Sequence, residues 1–477
     1  MDFVTGHNLG SPDARCLWSG LAWDNSYSRM PQTMHGRADV RPLNAPRLLW
    51  FNTPLAQSLG LDRPPDDAIA AIAGGCVMPI GAHPIQGRTA ERPWGCEDPA
   101  STTTADFMLG EHIDPHLRRH DLALAQHENS AGPEKGALSL RTALHQFLMG
   151  EALNALGIKT PRILAIACEE EEEDERADGP RASVIKVGES PLTIGAFEYA
   201  YRSAGASELE RLADYAIARV SPELMAGQTP YTDLLHHVCD RLAVTAAQWE
   251  SLGFVHGRLD TQLTPIDGSA SVVAHSQFIA EYDFDRISHP MDAMGRYAFC
   301  AQPIAAHWNL CRLANSLRPL IEKEQQDAKQ TTEKILDGFF DRHESYRLMY
   351  YRHKLGLFVK REGDETLIDE LLRLMHSDRV NQTFVFRQIC QLAVAPEAGQ
   401  WLVRHFSQKT RAQQWVDGYR QRLASEPMSG KTKHIRYMAS ANPNSVPSPQ
   451  AISVTLEKAL GGDLSAMERF LVTHGSQ

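Results

Sequence analysis

The chain has no C-x-x-C pair: its eight cysteines, Cys16, Cys76, Cys96, Cys168, Cys239, Cys300, Cys311 and Cys390, are scattered along it. That spacing offers neither a zinc ribbon nor a disulfide framework and fits reduced, mostly buried thiols. No apolar run is long enough to span a bilayer. The first residues, MDFVTGHNLGSPDARC, lack both the basic and the apolar segment of a secretory leader. Positive charge is not in excess either. A formal net charge of -11 repels a phosphate backbone or an anionic membrane over most of the surface. Neither nucleic acid nor membrane is therefore expected as the main partner, and the expected location is cytoplasmic.

What is present is ordinary globular material. Hydrophobic residues make up 43% and charged residues 22%, enough apolar side chain for a large core and too much for wholesale disorder. A chain of 477 residues suits two or three packed lobes.

Apolar spacing in Arg47–Leu61 (RLLWFNTPLAQSLGL) predicts an amphipathic helix. Gly- and Pro-rich text from Gly74 to Asp98 predicts loops and short strands, followed by strands at Phe107–Leu109 and Leu122–Ala125. The clearest helix is Ser139–Gly157, where Leu140, Ala143, Leu144, Phe147, Ala152 and Leu156 recur at steps of three and four and Gly157 ends the run. Apolar runs at Arg162–Ala167 and Ala182–Val187 flank the acidic run Glu169–Glu175 and read as two strands around a solvated loop. From Ser207 the period is helical, broken by a loop and hairpin at Gly257–Gln277. It resumes after Trp308 to about Leu423, with a last helix at Ala451–Thr473. His112, His116 and His120 lie four apart, a spacing that on a helix face suits a transition metal. Pro115 interrupts that stretch, and Arg118 and Arg119 oppose a cation, so no metal site is expected there.

Four segments carry a resemblance to a known family, the SelO/YdiU protein adenylyltransferases. Pro42–Leu61 is similar to the family's opening helix, and Arg141–Arg162 to its long N-lobe helix. Gly253–Thr261 (GFVHGRLDT) resembles the family's GF-x-HG-x-x-NTDN catalytic loop, and Gly295–Leu313 resembles the segment that closes the core. The resemblance implies an α+β, protein-kinase-like two-lobe fold with a helical C-terminal extension. Residues 1–200 would hold the N-terminal extension and N-lobe-like strands with the long helix, 201–320 a helical C-lobe-like region with the catalytic loop, and 321–477 the extension. It also implies transfer of AMP from ATP to a protein hydroxyl, hence ATP as cofactor, a divalent metal, and a protein substrate or partner.

Set against that pattern, most catalytic positions are replaced. The position of the family base holds Gln262, which cannot usefully accept a proton, and that of the metal-binding asparagine holds Leu263, which has no oxygen. The second metal aspartate is replaced by Val272 or Ala274, which leaves magnesium without its protein anchors. Aligning the family's lysine and glutamate places Gln126 and Gln146 at the two ends of a lost ion pair, where a neutral contact would avoid a stranded charge. The phosphate loop L-G-D-G-R becomes Thr102-Thr103-Thr104-Ala105, and Thr193 stands for one arginine. What survives is Asp260 and His256 as candidate catalytic groups, with Lys186 and Gly136 as candidate nucleotide contacts. Capping and loop roles compete for the first two. The expectation is a degenerate, non-catalytic binding or scaffold protein. The alternatives are an active nucleotidyltransferase rebuilt around Asp260 and Lys186, or another enzyme chemistry in the same cleft.

Overall fold

The computed structural model describes residues 15–96, 100–127, 136–170, 178–190, 192–393, 395, 398–427 and 431–475. Most of the acidic run, 171–177, lies outside them, as does the end of the Gly- and Pro-rich stretch.

The strands in chain order are β1 (Arg15–Cys16), β2 (His35–Arg37), β3 (Arg47–Phe51), β4 (Met78–Pro79), β5 (Ile85–Glu91), β6 (Ala100–Thr103), β7 (Asp106–Ile113), β8 (Arg119–Ala125), β9 (Arg162–Cys168), β10 (Ala182–Gly188), β11 (Phe254–Val255) and β12 (Gln277–Phe278). One antiparallel sheet runs β2-β5-β7-β8-β10-β9-β3, with β6 also paired to β5. Alternation along β7 and β8 sends Phe107, Leu109, Leu122 and Leu124 to one face, under α1 (Thr53–Ser58) and α2 (Asp66–Ala73). Met108 and Ala125 go to the other face, under α3 (Leu140–Ala155). The α3 helix begins where Ser139 Oγ accepts from Thr142 N at 3.2 Å and gives way to Gly157 at φ +76°.

The helical part holds α4 (Ile194–Tyr199), α5 (Ala206–Val220), α6 (Pro230–Leu252), α7 (Gln302–Glu324), α8 (Ala328–Asp337), α9 (Phe339–Leu355), α10 (Asp364–Asp378), α11 (Gln382–Leu392), α12 (Ala398–Arg404), α13 (Lys409–Ala424), α14 (Lys431–Ala441), α15 (Pro449–Leu460) and α16 (Ser465–His474). The protein is thus α+β, with a sheet-bearing lobe followed by a helical lobe and extension. Helix α6 packs on α7 and α9, while Tyr351, Phe386, Phe406, Trp415 and Tyr419 form a separate core among the later helices. The chain then returns: Leu456, Met467 and Phe470 of α15 and α16 join the core around α3. Among the described residues no helix is long and apolar enough to cross a membrane.

Three local expectations change. The helix predicted over Arg47–Leu61 is strand β3 followed by α1, because RLLWF pairs with β9 and is covered on both faces, so its apolar run carries no period of two. Asn52 makes the switch, its side chain capping Leu55 N at 3.2 Å. The histidine stretch is a hairpin and not a helix, with His112 opposite His120 across β7 and β8 and His116 in the turn. His112 instead bonds backbone, Nε2 lying 2.8 Å from Leu59 O, and His120 Nε2 lies 3.0 Å from Asp114 Oδ2. The last predicted helix is two, broken at Gly461 and Gly462.

Candidate functional site

Helix α6 ends on Gly253 at φ +76°, where a Cβ would meet Gln382 Oε1 at 2.8 Å, so the reversal into β11 requires glycine. The chain then runs Phe254–Gly257 into the candidate catalytic loop and returns through β12, Phe254 pairing with Phe278.

His256 is fully buried and stacks on Trp249, ring centroids 5.5 Å apart. Its Nδ1 accepts from Arg258 N at 3.3 Å, and its own amide donates to Gln302 Oε1 at 2.8 Å. Burial lowers its pKa to about 4, so the ring is neutral and holds the loop. Asp260 is also fully buried. One carboxylate oxygen caps the single turn Thr261–Leu263, accepting from Leu263 N at 3.0 Å, and the other lies 2.7 Å from Arg258 Nη2. Burial pushes this carboxyl up, opposed by Arg258 and the cap. Arg258 also pairs with Glu91 at the end of β5, and neighbouring Arg92 pairs with buried Glu198 of α4. Thr261 Oγ1 accepts from Arg92 N at 3.1 Å, so the loop is stapled to the sheet.

Between β5, β10, α4 and this loop lies a cavity of about 160 Å³. It brings together Lys186, Thr193, Gln262 and Leu263, residues far apart in sequence, alongside Asp106 and Asp121. Lys186 Nζ lies 3.0 Å from Asp106 Oδ2. Gln262 Nε2 donates to Thr103 O at 3.3 Å, and Leu263 is 6% exposed. Asp121 lies 2.9 Å from Arg219, and burial pushes its carboxyl above the usual carboxylate range, opposed by that cation. Gly136 is exposed and is not among the residues that line the cavity.

The contact expected between Gln126 and Gln146 is absent. Gln126 sits on the α2 side of the sheet, donating to Arg41 O at 2.9 Å and accepting from Arg41 N at 3.0 Å. The strand residue on the α3 side of the sheet there is Ala125, buried in the core that also holds Ala143 and Phe147. Alternation decides this, since Leu124 and Gln126 share the opposite face. Gln146 remains buried on α3.

Sequence reasoning missed Asp106 and the Arg92–Glu198 and Arg258–Glu91 pairs. For Asp106 a signal existed: a carboxylate directly follows the segment Thr102–Ala105 that stands for the family's phosphate loop. The distant pairs left none.

The charged groups facing the cavity are Lys186, Arg88, Asp106 and Asp121, beside the neutral Gln262 and Leu263. Its volume falls below the roughly 300 Å³ at which small-molecule sites begin, Lys186 is already paired with Asp106, and Gln262 and Leu263 supply no anionic oxygen.

A family model described as Protein adenylyltransferase SelO matches residues 133–473. Protein nucleotidyltransferase YdiU of Shouchella clausii is 32% identical over 456 residues, covering 94% of this chain and 92% of that protein. YdiU of Bradyrhizobium diazoefficiens is 33% identical over 460 residues, covering 94% and 92%. A solved Toxoplasma gondii rhoptry antigen kinase domain aligns with 60% of this chain and 86% of its own at 11% identity, with a TM-score of 0.22 that gives the likeness no weight. On the extent of the family match and of these relatives, the chain belongs to the SelO family.

Proposed function

We propose that this chain is a non-catalytic member of the SelO family that serves as a binding or scaffold protein, with another protein as its partner. The observation that carries this is the state of the positions matching the family's base and metal asparagine. Gln262 is spent holding the backbone of Thr103, and Leu263 presents hydrocarbon to the cavity. The pairing of Lys186 with Asp106 supports the same reading, because a cation already neutralised offers a triphosphate little.

The test is thermal-shift titration of the full chain with ATP and magnesium or manganese. No metal-dependent stabilisation is expected, and a clear one would sink the reading. The names of the relatives favour a second reading, an active nucleotidyltransferase rebuilt around Asp260. Full burial and two engaged carboxylate oxygens weigh against it. Full AMP transfer by an Asp260→Ala variant would dispose of it.

A further inference from the structure

A second hollow opens in the helical part, where the C-terminal ends of α3, α6, α9 and α14 converge. Its volume is about 550 Å³, within the range of small-molecule sites. Leu156 and Leu252 contribute aliphatic wall, and Tyr350, His353, Phe358 and Tyr437 contribute rings. Phe358 stands edge-on to Tyr437, centroids 5.5 Å apart, and its centroid lies 6.0 Å from that of His353.

Lys354 also lines this hollow and is the one buried lysine among the described residues, 4% exposed. Buried cations elsewhere meet acids, as Arg92 meets Glu198, Arg219 meets Asp121 and Arg258 meets Glu91. Lys354 meets none among the described residues, and no aspartate or glutamate is among those that line the hollow. Its ammonium donates to Ala441 O at 3.2 Å and lies 4.9 Å from the Phe386 ring centre, which leaves capacity on a group with three N–H donors. Burial lowers its pKa to about 8, the Cys390 thiol alone opposing, and burial pushes that thiol up. At neutral pH, therefore, an ammonium stands here with no anion beside it among the described residues. The helix ends do not take an anion's place, because amides already serve their carbonyls. Gln382 donates to Ser251 O at 3.0 Å, and Asn442 donates to Lys354 O at 2.8 Å and to Met438 O at 2.9 Å.

We propose that this cavity binds a small aromatic monocarboxylate, its carboxylate on Lys354 and its ring among Tyr350, Phe358 and Tyr437. A desolvated ammonium gains more from an anion than an exposed one does, and its hydrogen bond to a carboxylate belongs to the strong, charge-assisted class. The surrounding rings offer apolar area and edge or offset contacts to a ligand ring. A single lysine is a point charge that matches one negative charge, whereas a phosphoryl dianion calls for guanidinium forks, and no arginine is among the lining residues. Tyr350, whose hydroxyl makes no hydrogen bond among the described residues, supplies a second polar contact. None of the residues that line this cavity lines the cleft, so the site stands whether or not the cleft is catalytic.

Calorimetric titration of the full chain at neutral pH with 1-naphthylacetate, and with its uncharged amide 1-naphthylacetamide, tests this. Saturable one-to-one binding of the acid is expected, about tenfold or more tighter than that of the amide. Lys354→Met should abolish the preference, since a flexible apolar side chain fills much the same space without the charge. Tyr437 is 62% exposed, so Tyr437→Ala should keep the parent's thermal midpoint while weakening both ligands about threefold or more. Lys186→Met in the cleft should bind both as the parent does. Absence of saturable binding would overturn the proposal, as would equal affinity for acid and amide or a preference that survives Lys354→Met. Indifference to Tyr437→Ala, or loss of binding in Lys186→Met, would place the ligand elsewhere and overturn it too. Tighter binding of 1-naphthyl phosphate than of the acid would overturn the monocarboxylate assignment.

Discussion

The ammonium of Lys186 reaches Asp106 at 3.0 Å across the intervening strand β8, which at these registers carries only Ala123 and Ala125. Two alanines leave room for a lysine to lie flat over the sheet and find a carboxylate two strands away. A double-mutant cycle of Lys186→Met and Asp106→Asn followed by urea unfolding should give a coupling of about 1 kcal/mol, modest because both side chains keep some water. Zero coupling would mean that the cation faces the cavity unpaired.

Asp260 is a structural acid by its contacts, and its removal should show in stability. Asp260→Ala strips the cap from Leu263 N and one partner from buried Arg258, for a loss of about 3 kcal/mol in chemical denaturation. Asp260→Asn keeps a capping oxygen and should lose less. If Asp260→Ala left stability unchanged, the carboxylate would be held for chemistry and not for the fold.

How much of this was legible in the sequence follows from the kind of force at each position. Helix α3 and strands β9 and β10 carry their own periods and stops, so they read correctly. Strand β3 did not, because a strand covered on both faces has the same apolar density as a helix. Gln126 was misplaced by one register step, and one step in a strand turns a side chain to the other face of the sheet. Gln262 and Leu263 were placed at the cavity by motif spacing alone. The Arg258–Glu91 and Arg92–Glu198 pairs join residues more than 100 positions apart, and no local pattern encodes such a partner.

The neutral, buried His256 makes a signed prediction about acid. Its ordinary pKa is 6.5 and burial lowers it to about 4 in the folded state, so the unfolded chain takes up this proton first. Its contribution is fully present above about pH 6.5 and is lost as pH falls towards 4. Over that window the unfolding free energy of the parent should fall more steeply than that of His256→Asn, by up to about 1.4 kcal/mol per pH unit. Comparing the two slopes cancels groups such as Glu250, which burial raises to about 7 and which titrates in the opposite sense. Parallel slopes would place His256 in water.

The return of the C-terminal helices to α3 sets two contacts of unlike worth side by side. Met467 of α16 is fully buried in the core it shares with α3, whereas Arg141 of α3 meets Glu457 of α15 at 2.9 Å with the glutamate 61% exposed. Hydrocarbon taken from water and packed leaves a cavity when it is deleted, so Met467→Ala should cost about 2–5 kcal/mol. The ion pair is largely hydrated in both states, so Glu457→Ala should cost less than about 1 kcal/mol. Urea unfolding of the two variants decides between them. A loss from Glu457→Ala equal to that from Met467→Ala would mean that charge, not packing, docks α15 and α16 against the helix behind the cleft.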